Sequence, residues 1–173
     1  MTHRTRAGPL LGSLGMADGK AVIRMEDRYG TDIDDLWSAL TDPERLARWV
    51  ARVDGDLRLG GAFTATFTSG WEGPGRVDVC EPPRRLVVTL SPGRDEQTVI
   101  EAELVPEESA TRLVIQERGI PLDEAVVHGA GWQAHIEDLA TYLAGRQTTE
   151  WRTRWTELIP LYREHDRKGE MQR

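Results

Sequence analysis

Thr31-Asp32-Ile33-Asp34-Asp35-Leu36-Trp37-Ser38-Ala39-Leu40-Thr41-Asp42-Pro43-Glu44-Arg45-Leu46 is the stretch on which the fold turns. Ile33, Leu36, Trp37 and Leu40 recur at helical spacing. Thr31 stands where an N-cap belongs, and Asp32, Asp34 and Asp35 fill the first turn, where carboxylates complement the positive end of the helix macrodipole. A second helix begins at once. Asp42 can cap it, Pro43 suits its first position, and Leu46, Trp49 and Val50 supply its apolar face.

On either side the period changes from helical to two. Lys20 to Tyr29 carries Val22, Ile23, Met25 and Tyr29 among charges and reads as a strand. After Gly55, strands are expected at Asp56 to Leu59, and then where Phe63, Ala65 and Phe67 alternate with Thr64, Thr66 and Thr68. Further strands are expected at Arg76 to Cys80, across Leu86, Val88 and Leu90, at Thr98 to Val105 and at Thr111 to Arg118. The turn material between the later strands is short enough for antiparallel hairpins, so a meander is predicted. Leu122 to Ala144 is helical again, with a stripe of Trp132, Ile136, Leu139 and Leu143 that needs a partner surface. The apolar face of a curved sheet offers one. Residues 149–164 form a last amphipathic segment, with Trp151, Trp155, Leu158 and Tyr162 on one side and Pro160 as an expected kink. The organisation read from this pattern is a flexible leader over 1–19, a folded domain over 20–145, a C-terminal amphipathic helix over 146–165 and a frayed tail over 166–173.

Composition narrows the class of job. At 173 residues the chain has room for one domain and tails. Mean hydropathy is −0.49, and no apolar run approaches the roughly 20 residues of a membrane helix. Lys and Arg number 22 against 29 Asp and Glu, a net charge of −7, so the averaged field repels phosphate backbones and anionic lipid. Neither nucleic acid nor a membrane is an expected partner. Cys80 is the only cysteine, which excludes an internal disulfide and any site built on two or four cysteines. Met1 to Leu14 makes a poor signal peptide, and a cytoplasmic location is expected.

The order strand, two short helices, about five strands, long helix resembles the helix-grip fold of the START-like superfamily, which includes birch-pollen-allergen-like proteins and polyketide cyclases. Leu36 to Leu46, then Arg48-Trp49, and Gly55-Asp56-Leu57-Arg58-Leu59-Gly60-Gly61 are similar to signatures of bacterial proteins named as homologues of an activator of the heat-shock-protein-90 ATPase. Glu81-Pro82-Pro83-Arg84-Arg85-Leu86 and Gly131-Trp132 fit the same family. The resemblance covers about residues 20–145 and implies an α+β fold, a curved antiparallel sheet around a long C-terminal helix. It brings no shared catalytic residue with it, and a chaperone is the partner that the family name implies.

The residues themselves point to a hollow. Asp27 follows Ile23 and Met25 at two-residue spacing, and Glu117 follows Leu113 and Ile115, so both carboxylates interrupt inward apolar rows. A buried carboxylate without a partner is costly. Either each reaches water or an Arg at a strand end, or each is a polar group in a cavity between sheet and long helix. Such a cavity would be lined by Trp49, Phe63, Phe67, Trp71, Trp132, His135 and Ile136, apolar walls with a few placed polar groups. His128 and His135 lie seven apart on the long helix, near one face; no metal and no cofactor is expected there. Non-catalytic binding of a small hydrophobic molecule, by a monomer or homodimer, is the leading expectation. The alternatives are a chaperone-linked interaction protein using the helix of Trp151 and Trp155, and a cyclase- or hydrolase-like enzyme using Asp27, Glu117 and His135 as acid and base.

Overall fold

The computed structural model describes residues 10–170. Strands β1 (Gly12–Ala17) and β2 (Lys20–Tyr29) form a hairpin about Asp18 and Gly19, both at positive φ. Helices α1 (Ile33–Thr41) and α2 (Pro43–Leu46) carry the chain to the far edge of the sheet. There β3 (Ala51–Gly55), β4 (Ala62–Phe67), β5 (Glu72–Glu81), β6 (Arg85–Leu90), β7 (Thr98–Pro106) and β8 (Thr111–Ile120) run back as the predicted meander. A 3-10 turn at Leu122–Glu124 leads into α3 (Ala125–Leu143), and α4 (Trp151–Glu170) follows. All strands join one antiparallel sheet in the order β1-β2-β8-β7-β6-β5-β4-β3. This is the α+β helix-grip architecture. No described helix is long and apolar enough to cross a membrane.

The short helices form where their caps dictate, one residue later than expected for the first. Asp32, not Thr31, caps α1 by accepting the Asp35 N–H at 2.8 Å, while the Thr31 hydroxyl donates to the Asp35 carboxylate at 2.6 Å. Asp42 accepts the Glu44 N–H at 2.9 Å with Pro43 in the first turn. The second helix ends at Leu46, so Trp49 and Val50 lie beyond it, both buried.

Three boundaries differ from expectation. Residues 12–17 of the leader are a strand, because Leu10, Leu11 and Leu14 pack on the core and the Gly12 N–H donates to the Tyr162 hydroxyl at 3.1 Å; residues 1–9 lie outside the described residues. The first strand of the meander is Ala51–Gly55, not Asp56 to Leu59. There the Asp56 carboxylate accepts from the N–H and guanidinium of Arg58, and those local bonds hold a turn in place of a ladder. The last helix runs unbroken through Pro160 to Glu170, past the expected fraying point at 166. Residues 171–173 lie outside the described residues.

The sheet is too wide for one helix to cover. Eight strands spaced about 4.8 Å apart span roughly 30 Å, whereas a helix with its side chains is about 10–12 Å across. α3 packs on β1 and β2, at one side. Buried apolar residues accordingly fall into two clusters. The larger lies beneath the helices and includes Ile23, Met25, Leu36, Leu113, Leu139 and Tyr162; the smaller comprises Phe63, Ala65, Val77 and Leu90 on β4 to β6.

Candidate functional site

Between those clusters lies an inner cavity of about 120 Å³, walled by Leu46 and Trp49 from the helical segment, Phe63, Val77 and Ile115 from the sheet, and Trp132 from α3. Thr41 is the one hydroxyl among its lining residues. Trp49 is held in place by its indole N–H, which donates to the Ala39 carbonyl at 2.9 Å. The Phe63 ring lies in the space that a Cβ at residue 75 would need, so glycine at that position is what lets the ring fold flat on β5.

An outer cavity of about 260 Å³ shares Phe67, Leu90 and Trp132 with the inner one. Its polar centre is Glu117, third in the inward row after Leu113 and Ile115 and paired across the sheet with Ile23 and Ile100. Only 5% exposed, this carboxylate accepts from Trp132 Nε1 at 3.2 Å and meets His128 Nδ1 at 3.1 Å. The other ring nitrogen of His128 lies 3.3 Å from Glu124. Burial works against protonation of His128, but the hydrogen bond to Glu117 and the two carboxylate charges outweigh it and hold the pKa above the usual histidine range.

His135 has the opposite environment. It is 4% exposed, and burial pushes its pKa down to about 3 against a hydrogen bond to the Trp49 backbone. Its Nδ1 has no hydrogen-bond partner among the described residues. Aromatic rings surround it, with centroids at 6.1 Å for Phe67, 5.7 Å for Trp132 and 5.2 Å for Trp151. Trp151 in turn stacks on Trp155 at 5.6 Å, and Trp71 meets Phe67 edge-on at 5.5 Å. The indoles of α4 dock on α3 of the same chain, donating to the carbonyls of Gly131 and Val127 at 3.3 and 3.0 Å.

Of the residues expected to line a cavity, Trp49 and Phe63 face the inner lobe, Phe67 and Trp132 separate the lobes, and Trp71, Glu117 and His135 face the outer one. Asp27 and Ile136 do not line either cavity. Asp27 does point inward, opposite buried Leu113, but α3 covers that part of β2. The carboxyl lies half-buried near Glu137, with burial raising its pKa against the Arg28 N–H that it accepts. Ile136 is in the packed core, and its carbonyl receives the Tyr29 hydroxyl at 3.4 Å. The outer lobe also takes in His128, Trp151 and Trp155. The spacing of the indoles, opposite Gly131 on α3, is the sequence signal that could have placed them there. Among the described residues, no group of three or more His, Cys, Asp or Glu side chains is arranged to hold a metal ion.

CalU16 from Micromonospora echinospora is similar in structure, with 27% sequence identity, 89% of this chain and 96% of that chain covered, and a TM-score of 0.74. DynU16, a protein in the dynemicin biosynthetic locus, is 27% identical with a TM-score of 0.67, over 73% of this chain and 49% of that one. EF2215 from Enterococcus faecalis, a conserved protein of unknown function, shares the fold at 16% identity, with a TM-score of 0.70 and 88% of each chain covered. No curated protein matches the chain. The family model described as activator of Hsp90 ATPase homolog 1-like protein matches residues 31–144, the segment that holds both capped helices, β3 to β8 and α3, and the chain belongs to that family.

Proposed function

We propose that this is a non-catalytic binding protein that takes the apolar part of a small molecule into the cavity beneath Trp49 and Trp132. The observation that carries the reading is the inner lobe itself, about 120 Å³ of space walled by apolar side chains and one hydroxyl. An apolar cavity of about 150 Å³ holds a benzene-sized guest, so a single ring or a short alkyl segment is the size class. The ligand-binding character of the fold and the biosynthetic locus of DynU16 support a small-molecule role. Two features weigh against the other readings. Trp151 and Trp155, the surface that a chaperone would be expected to grip, are docked on their own chain. Asp27 lies apart from Glu117 and His135, so the three acid and base groups do not converge.

The test is thermal denaturation with benzene, toluene and pentanol, beside the variant Ala102→Phe, which places a ring in the inner lobe. Saturating guest is expected to raise the midpoint of the unaltered protein by a few degrees, roughly as mass action requires, and to leave the variant unmoved. No shift with any of the three compounds, and no change in tryptophan emission, overturns the reading.

A further inference from the structure

The outer lobe differs from the inner one in what it offers a guest. Four indoles line it, and three have their N–H groups turned into the protein, Trp132 to Glu117, Trp151 to the Gly131 carbonyl and Trp155 to the Val127 carbonyl. Those three rings, not their N–H groups, face the hollow. The buried carboxylate of Glu117 has capacity left over, while the remaining donors at the lobe, on Ser69 and Arg152, are not buried. Each oxygen of the buried Glu117 takes one hydrogen bond, from Trp132 or His128, and a carboxylate oxygen has room for a second. Behind them, His135 Nδ1 is buried with no hydrogen-bond partner among the described residues. A lobe of π faces around a desolvated carboxylate with acceptor capacity left recognises a cation.

We propose that the outer lobe is a subsite for a protonated amine or quaternary ammonium group, carried by the same ligand whose apolar part fills the inner lobe. This rests on the binding reading above and specifies its ligand class. The cationic side chains at the lobe do not fill the role. His128 is held between Glu117 and Glu124, and Arg152 is an exposed residue of α4, where water and salt screen it. Phe67 and Trp132 belong to both lobes, so a head group at Glu117 and an apolar tail beside Trp49 are joined across a shared wall. The chain's net charge of −7 also draws cations toward it.

The experiment compares three guests of equal chain length on the unaltered protein by calorimetry, below their micellar concentrations: octyltrimethylammonium, octanol and octyl sulfate. The ammonium is expected to bind about tenfold tighter than the alcohol, with the sulfate weakest. Equal affinity of ammonium and alcohol overturns the amine subsite and leaves the apolar cavity standing. Tightest binding of the sulfate overturns it in favour of an anion held by Arg152 and His128. No binding by any guest overturns both readings. Glu117→Gln keeps the shape and one acceptor but removes the charge, and is expected to erase the preference for ammonium over alcohol. The head-group comparison needs no variant, so it decides the matter even where that protein fails to fold.

Discussion

The two long faces of α3 follow opposite rules. Toward β1 and α4 runs a matched polar network: Gln133 accepts from the Leu11 N–H at 3.1 Å and the Tyr162 hydroxyl at 2.6 Å and donates to Glu137, which holds Arg154 at 2.6 and 2.9 Å. Toward β8 and the smaller cluster, His128, Trp132 and His135 border empty space, and one ring nitrogen has no partner among the described residues. A single helix thus divides the labour. On the binding reading proposed above, the filled side holds the fold together and the hollow side takes the guest.

The largest test of that division is on the filled side. Tyr162 has no exposed surface, and Tyr162→Ala is expected to cost about 3–5 kcal/mol in denaturant unfolding, as large-to-small aromatic changes in cores do. A loss under about 1 kcal/mol would break the comparison. Next comes pH on the hollow side. His135 is neutral when folded, with its pKa depressed from about 6.5 to about 3, so its contribution is fully present above pH 6.5 and lost as pH falls toward 3. Relative to His135→Gln, the unaltered protein is expected to lose up to about 1.4 kcal/mol per pH unit across that window, read from denaturation midpoints. His128 has the opposite sign. Its raised pKa gives stability that is full below pH 6.5 and lost as pH climbs through the folded value, so His128→Gln is expected to narrow its gap to the unaltered protein as pH rises.

Tyr162→Phe sharpens the contrast further. It deletes only the hydroxyl that donates to Gln133 and accepts from Gly12, and about 1–2 kcal/mol is expected by thermal or chemical denaturation. The smallest effect on stability belongs to Trp71→Leu. This half-buried ring rests on Phe67 at the edge of the outer lobe, so a cost of about 1 kcal/mol or less is expected together with a clear loss of affinity for octyltrimethylammonium. A cost rivalling Tyr162→Ala would mean that the hollow side, too, is structural.

Strand residues such as Phe63, Ala65 and Phe67 were legible because period-two alternation states which face is buried. Asp42-Pro43 was legible because capping is local chemistry. β1 was not, since Gly12-Ser13-Leu14-Gly15 carries no alternation and is held by β2 and Tyr162, neither of which is visible in its own spelling. The same limit explains the site. Register put Asp27 and Glu117 on the inner face correctly, but nothing in either strand says which part of that face a helix will cover. α3 covers Asp27 and leaves Glu117 beside the hollow. The tie between His128 and Glu117 depends on how α3 crosses β8, a relation between elements far apart in spacing rules though only 11 residues apart in the chain.

The bond from Gly12 to Tyr162 joins positions 150 residues apart. A nascent chain can zip its hairpins in order as they leave the ribosome, yet this clasp must wait until α4 has emerged. Until then Gln133 has no hydroxyl to meet and the underside of α3 stays wet. Truncation before α4 would therefore keep all eight strands but leave the β1 edge without its clasp.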